Sequence, residues 1–166
     1  TLYYNDSLTS LNGLDNLSTV VGNPKLRSNN SLLNLTGLEN LTAIGNDLII
    51  GDNWAGNNAL IDLTGLNNLT TIGGYLEINK SPSLTTLSAL GNLTEIGESL
   101  IIGGWGGGND ALVDLNGLEG LTSIGGYLEI QDNDGLTSLE GIENIQSNSI
   151  YGIRITNNNS LSKCDV

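Results

Sequence analysis

The chain has 166 residues, with 18 carboxylates against five Lys and Arg, no His and a formal net charge of −13. Nucleic acids and anionic lipid surfaces are bound by clusters of basic residues, whereas residues 81–153 contain no Lys or Arg. No apolar run approaches the roughly 18 residues of a membrane-spanning helix. Composition and charge therefore argue against a nucleic-acid partner and against direct membrane insertion.

A repeated unit runs along the whole chain. Each unit opens with a leucine, and successive opening leucines are separated by 24, 28, 24, 28, 24 and 25 residues. A fixed period in the twenties is typical of a solenoid. We therefore predict a single domain over residues 1–166, built from about six stacked coils of alternating length. The opening leucines are Leu8, Leu32, Leu60, Leu84, Leu112, Leu136 and Leu161.

Within one coil, apolar residues recur at every third position, as from Leu60 through Leu66 to Ile72. On an α-helix each such step slips by about 60°, so the apolar residues would form no single stripe. The intervening Thr, Gly and Asn are also poor helix formers. This pattern predicts a mainly β fold of short strands and tight corners, with few or no helices.

Each unit closes with an apolar, variable, apolar triplet, which is the period of a strand. The triplets occupy residues 48–50, 76–78, 100–102, 128–130 and 153–155. Stacked from coil to coil, they predict one parallel sheet, with weaker pairing in the first coil because Pro24 takes the place of the first triplet residue. The expected outward positions are Ile49, Glu77, Ile101, Glu129 and Arg154.

Asparagine precedes a core leucine at the same point of four units, and Gly120 interrupts the row. Such a row can satisfy backbone groups of neighbouring coils. The same residues form N-x-S/T sequons, which mark possible glycosylation sites. The repeat generates these sequons by construction, so a structural role is preferred. The four residues are Asn16, Asn40, Asn68 and Asn92.

The longer coils carry extra loops at residues 51–58 and 103–110, and these loops contain both tryptophans of the chain, Trp54 and Trp105. The shorter coils carry Tyr75 and Tyr127, 52 residues apart. Stacking in register would place the two indoles about 10 Å apart on one side. The indoles either pack over the outward isoleucines of the same coils, which is the preferred interpretation, or contact a ligand. The candidate ligand-binding residues are Trp54, Trp105, Tyr75, Tyr127, Ile49 and Ile101.

Calcium is the only cofactor that the sequence suggests. Residues 106–110 partly match the glycine-rich calcium nonapeptide, but the first glycine of that motif would fall on Trp105, and Asn58 replaces Asp110 in the companion loop. A calcium-binding β-solenoid needs the motif on successive turns. The candidate metal ligands are Asp52, Asp110, Asp132 and Asp134.

Enzymatic interpretations find little support in the residues. The chain has no His, one Cys close to its end, and no serine in a nucleophile elbow. Asp62 and Asp114 share a phase in the repeat, but they lie two coils apart, which favours a solvated or capping position over a catalytic pair. We predict that the protein is not an enzyme.

A row of threonines suggests an ice-binding alternative, because flat solenoids with regular hydroxyl groups can order water. The row lies beside core leucines, and the outward strand positions carry Ile, Glu and Arg instead of Thr pairs. A recognition role is therefore preferred to ice binding. The threonines are Thr42, Thr70, Thr94 and Thr122.

The strings LTSIGGYLEIQDNDGLTSLEGIENI and SLTTLSALGNLTEIGESLII resemble receptor L-domain-like leucine-rich repeats, as found in secreted or surface proteins of Bacteroidetes and in fungal cell-wall proteins. The ending NNNSLSKCDV is similar to the segment before a Cys-containing cap in the bacterial members. The resemblance covers essentially the whole chain. It implies a right-handed β-helix-like solenoid, an extracellular or cell-surface location and no catalytic residues.

The single cysteine, Cys164, has no partner within the chain. An odd cysteine indicates either an intermolecular disulfide or a partner in sequence outside this segment, and the second is preferred because the first repeat begins mid-unit. We therefore expect truncation at both ends, with a C-terminal cap beyond Val166.

Together these patterns predict a non-enzymatic module for adhesion or recognition of a protein or glycan at a cell surface. The alternative is a purely structural spacer that holds another domain away from the cell. Calcium-binding and ice-binding solenoids are further alternatives.

Overall fold

The computed structural model describes residues 1–162, and it consists of two parallel sheets stacked as a β-solenoid of about six turns. Two short 3-10 turns, Ser88–Leu90 and Ser147–Ser149, are the only helical segments among these residues. The predicted mainly β solenoid is confirmed. The strands are β1 Leu2–Tyr3, β2 Thr19–Val20, β3 Lys25–Arg27, β4 Ala43–Ile44, β5 Leu48–Ile50, β6 Thr71–Ile72, β7 Leu76–Ile78, β8 Glu95–Ile96, β9 Leu100–Gly103, β10 Ser123–Ile124, β11 Tyr127–Gln131 and β12 Gly152–Thr156.

The larger sheet, here called the main sheet, has the order β1-β3-β5-β7-β9-β11-β12, and the smaller one the order β10-β8-β6-β4-β2. Every strand pair is parallel. From β2 to β11 each turn of the chain adds one strand to each sheet, whereas β1 and β12 belong to the main sheet alone. Strand β3 begins after Pro24 and pairs with β5 at two positions, against three between β5 and β7. This is the weaker first-coil pairing that Pro24 predicts.

The register of the main sheet confirms the predicted outward row. Ile49 pairs with Glu77, Glu77 with Ile101, and Ile101 with Glu129 in successive strands. Lys25 extends the row at one end and Arg154 at the other. Since side chains alternate across a strand, the residues on either side of this row face inward, as their burial shows.

The core is one continuous cluster of leucine and isoleucine side chains, which runs through the coils from Leu11 to Leu136. The three-residue spacing of the sequence corresponds to tight turns: Leu66 N–H donates to Leu63 O at 3.0 Å, and Leu69 N–H to Leu66 O at 2.9 Å. Each turn brings its leucine inward without forming a helix. The tight corners predicted from the sequence therefore place the leucines in the core.

A glycine at the same corner of most coils allows neighbouring coils to approach closely. Gly65 has φ +113°, and a Cβ there would lie 2.1 Å from the carbonyl oxygen of Leu35 in the preceding coil. In the next coil the corresponding position is Ala89, and there the chain forms the 3-10 turn Ser88–Leu90. The turn changes shape because alanine does not readily adopt the left-handed conformation.

A buried ladder of asparagines, which the repeat pattern did not predict, follows the main sheet. Asn109 is fully buried; its Nδ2 donates to Ile78 O at 2.9 Å and its Oδ1 accepts the N–H of Ser81 at 3.1 Å. The corresponding position of every coil holds Asn or Ser, so the ladder satisfies backbone groups where the strands end. Its buried members, here called the buried ladder, are Asn29, Asn57, Ser81, Asn109 and Asn133, and the exposed Asn5 and the half-buried Asn158 continue the row at its two ends.

The asparagine row that the sequence did predict lies on the surface. Nδ2 of Asn40 donates to Asp15 O at 2.6 Å, and Nδ2 of Asn92 donates to Asn67 O at the same distance. Asn68 makes the equivalent bond. The predicted bonding between coils is confirmed for these three sequon residues, whose amide nitrogens are engaged in the folded chain.

Candidate ligand-binding site

Both tryptophans are exposed to solvent. Trp54 has 85% of its surface accessible and Trp105 has 84%. A side chain packed over the sheet would lose most of its accessible surface, so the preferred interpretation of the sequence, in which the indoles cover the outward isoleucines, is wrong. The glycines and polar residues of the two loops supply too few apolar neighbours to hold an indole against the sheet.

The two outward isoleucines differ in accessibility. Ile49 is only 3% exposed, although it lies outside the core cluster, whereas Ile101 is half-buried. The register neighbours of Ile49 are Lys25 and Glu77, one strand spacing of about 4.8 Å away on either side. An exposure of 3% leaves almost no surface that a ligand could touch. Ile49 is thus unavailable for ligand contact, which corrects its assignment as a candidate.

Asp52 holds the Trp54 loop in place. Its Oδ1 accepts the backbone N–H groups of Trp54 at 2.9 Å and Ala55 at 3.0 Å, and its Oδ2 forms a 2.8 Å ion pair with Arg27. Partial burial favours the neutral carboxyl, but these donors outweigh it, and the pKa of Asp52 lies below its ordinary value. Both oxygens of Asp52 are therefore already used within the protein.

Lys80 and Asn79 connect the Trp54 loop to the Trp105 loop. Nζ of Lys80 donates to Asn53 O at 2.7 Å, and a Cβ on Gly106 would lie 3.4 Å from the same Nζ. A Cβ on Gly104 would lie 2.8 Å from Nδ2 of Asn79. The two Trp-bearing loops therefore lie side by side across the intervening short coil.

A groove of about 310 Å³ opens between the Trp105 loop and the outward face of the main sheet. It brings together three of the predicted residues, Tyr75, Ile101 and Trp105. Trp54 and Tyr127 do not line it; Tyr127 packs edge to face against Tyr151, with ring centroids 6.4 Å apart. The groove is also lined by Asn53, Glu77, Asn79, Gly103, Gly104, Glu129, Gln131 and Arg154.

Asn79 is a groove residue that the sequence patterns did not identify as a candidate. The residue is fully buried, its Nδ2 donates to Asn53 Oδ1 at 3.4 Å, and its buried Oδ1 accepts no hydrogen bond. A signal was present in the sequence, because the two long coils carry glycine at this outward position (Gly51, Gly103) and the short coil after each carries an amide (Asn79, Gln131).

Glu77 lies in the groove beside Asn79 and is half-buried. Burial raises the pKa of Glu77 above its ordinary value, and the negative charge of Asp52 raises it further. A hydrogen bond from Asn79 and the positive charge of Lys25 act in the opposite direction but do not cancel the rise. The folded chain therefore binds the Glu77 proton more tightly than the unfolded chain does.

We expect Glu77→Gln to raise the free energy of unfolding at neutral pH. A raised folded-state pKa contributes stability below the unfolded pKa, and that stability is lost as pH rises through the folded pKa. Glutamine keeps the acceptor for Asn79 but carries no charge. Urea denaturation should show the variant more stable than the parent at about pH 7, with the difference closing near pH 4. A variant that is less stable at neutral pH would contradict this account.

Three of the four candidate calcium ligands share a second, polar cleft of about 400 Å³. Asp132 and Asp134 line it with Asp110, but Asp132 Oδ1 accepts from Asn157 at 3.0 Å and Asp134 Oδ1 from Asn159 at 2.7 Å. Across residues 1–162, no three His, Cys, Asp or Glu side chains are placed to hold a metal ion. With Asp52 paired elsewhere, the calcium hypothesis gains no support.

The repeated aspartates hold their own turns. Asp62 Oδ1 accepts the N–H of Thr64 at 2.8 Å, and Asp114 Oδ1 accepts the N–H of Asn116 at 3.1 Å. This is the capping position that the sequence favours over a catalytic pair. Cys164 lies outside the described residues.

The threonine row is exposed, and its hydroxyl groups bond to the preceding coil. Thr70 Oγ1 donates to Thr42 O at 3.0 Å, and Thr94 Oγ1 donates to Thr70 O at 3.2 Å. Thr42 and Thr122 make the equivalent bonds. These hydroxyl hydrogens are therefore used between coils, where they hold the small sheet together.

No family model matches the chain, and comparisons with curated proteins and with solved structures find no match. The receptor L-domain-like identification therefore stays a prediction based on the repeat strings. None of the described residues forms a helix that is long and apolar enough to span a bilayer.

Proposed function

We propose that the protein is a non-enzymatic recognition module that acts outside the cell or at its surface, in adhesion or in binding of a protein or glycan. In this proposal the repeats belong to the receptor L-domain-like class that their strings resemble. The contact surface comprises the Trp54 and Trp105 loops and the adjoining outward face of the main sheet.

The observation that carries the proposal is the exposure of both indoles on neighbouring loops. Large exposed aromatic side chains are costly to keep in water and are frequent anchors of binding surfaces. Asp52 and Lys80 fix the Trp54 loop through hydrogen bonds, so the indole is presented without the entropy cost of ordering a free loop.

A structural spacer is the competing proposal. The buried ladder and the continuous aliphatic core would serve a spacer equally well, and neither requires an exposed tryptophan. The spacer proposal therefore predicts that removal of both indoles changes no interaction.

The double variant Trp54→Ala/Trp105→Ala separates the two proposals. We expect its apparent affinity for ligands identified with the parent chain, on a glycan array and on intact cells, to fall by at least about tenfold, because aromatic anchors dominate binding energy. The matched control is Leu33→Ala/Val113→Ala. Both of these side chains are exposed and apolar, and neither lies in a strand, so this variant should bind as the parent does. Equal binding by the double variant and the parent would refute recognition through these loops.

A further inference from the structure

The groove between the Trp105 loop and the main sheet combines flat aromatic surfaces with hydrogen-bonding groups. Trp105 and Tyr75 supply the rings, and Glu77, Glu129 and Asn79 supply acceptor oxygens. Its volume of about 310 Å³ has room for a sugar ring. The apolar face of a pyranose stacks on an aromatic ring while its hydroxyl groups donate to carboxylate and amide oxygens, and the groove offers both kinds of contact.

The charge of the groove selects against anionic ligands. Two carboxylates, Glu77 and Glu129, line it with one guanidinium, Arg154, which lies next to Glu129 in the register of the sheet. The whole chain carries a net charge of −13. Sulfated or uronic polysaccharides would be repelled at this surface, whereas an uncharged sugar would not.

Asn79 supplies an independent indication that the groove takes a hydrogen-bond donor. Its Oδ1 is buried and accepts no hydrogen bond, while its Nδ2 donates a hydrogen bond to Asn53 Oδ1. An unpaired buried acceptor is unfavourable, and most such groups in proteins are satisfied. Asn79 lines the groove and packs against Gly104, so a ligand hydroxyl group would satisfy this buried oxygen once the Gly104 segment shifts.

We propose that this groove is a sugar-binding subsite for an uncharged glycan chain, in which a pyranose ring stacks on Trp105 and Tyr75 and donates hydrogen bonds to Asn79, Glu77 and Glu129. The proposal rests on the recognition function and names its ligand class. Trp54, on the neighbouring loop, lies outside the subsite.

The two tryptophans allow the subsite to be observed directly, because each can serve as the sole fluorescent indole in a variant. Trp54→Phe leaves Trp105 as the reporter, and Trp105→Phe leaves Trp54. The probes are β-1,4-linked hexasaccharides of glucose and of N-acetylglucosamine, with polygalacturonate as the anionic comparison. We expect a saturable emission change of Trp105 with at least one neutral hexasaccharide and none with polygalacturonate. Trp105→Phe removes a stacking residue of the subsite, so its Trp54 emission serves only as a baseline.

Tyr75 and Tyr127 provide a matched pair of substitutions, since they occupy equivalent positions two coils apart and only Tyr75 lines the groove. We expect Tyr75→Ala to weaken hexasaccharide binding at least about tenfold, and Tyr127→Ala to weaken it less than about twofold.

Three results would overturn the subsite: an unchanged Trp105 emission with both hexasaccharides, equal effects of the two tyrosine substitutions, or comparable binding of polygalacturonate. The Trp105 reporter needs no groove substitution, so it remains decisive if Tyr75→Ala fails to fold. Loss of cell binding in the double tryptophan variant together with no hexasaccharide response would reject the sugar subsite and retain the recognition function with another ligand.

Discussion

Substitution of Asn109 by alanine is expected to lower the free energy of unfolding by about 2–5 kcal/mol. The side chain is fully buried and serves two backbone groups of another coil, Ile78 O and Ser81 N. Alanine leaves both backbone groups without a hydrogen-bond partner at a buried site. Each unpaired buried group costs about 1–3 kcal/mol, a large fraction of the stability of a typical domain.

Asn92→Ala is the matched control for this prediction. Asn92 also bonds to the preceding coil, at 2.6 Å to Asn67 O, but it lies on the surface, where water replaces the lost donor. We expect a loss of less than about 1 kcal/mol. Urea denaturation followed by circular dichroism measures both variants, and equal losses would show that the buried ladder has no special role in stability.

Gly65→Ala is expected to destabilise the protein by about 2–5 kcal/mol. The residue has φ +113°, which disfavours any side chain, and the added Cβ would meet Leu35 O at 2.1 Å. Because the obstructing atom belongs to the backbone of the neighbouring coil, no change of rotamer relieves the clash, and the two coils must separate.

Gly13→Ala isolates the conformational part of this cost. Gly13 has nearly the same φ, +103°, and a Cβ there would have no neighbour within 4 Å. Its expected loss is about 1–2 kcal/mol. The difference in the free energy of unfolding between Gly65→Ala and Gly13→Ala, from thermal or urea denaturation, measures the cost of the clash between neighbouring coils. A difference near zero would contradict the observed packing.

The sequence was sufficient to predict the solenoid and the outward row of the main sheet. Both follow from local periods: the leucine spacing fixes the coil length, and the alternation in Leu76, Glu77 and Ile78 fixes which side chain faces outward. Because consecutive coils repeat this pattern, the register between strands follows without further information.

Accessibility on the outward face could not be predicted in the same way, because it depends on neighbours supplied by other coils. Ile49 and Ile101 occupy equivalent positions, yet Ile49 is buried, whereas Ile101 is half-buried and lines the Trp105 groove. The exposure of Trp54 likewise depends on how its loop bonds to Asp52.

The two asparagine rows show the same limit. Asn92 stands before a core leucine within a repeated string, whereas Asn109 belongs to the more variable segment after a strand. Residue type alone does not tell a buried amide from an exposed one. The distinction depends on the end of the neighbouring strand, where backbone groups need a partner away from water.

The melting temperature of Trp54→Ala/Trp105→Ala tests most directly whether the indoles are displayed for recognition. Displayed side chains contribute little to stability, so a decrease of no more than about 3 °C is expected. Indoles packed against the sheet would each contribute about 3–5 kcal/mol. A decrease of about 10 °C or more would show that the tryptophans are structural and would contradict the proposed recognition surface.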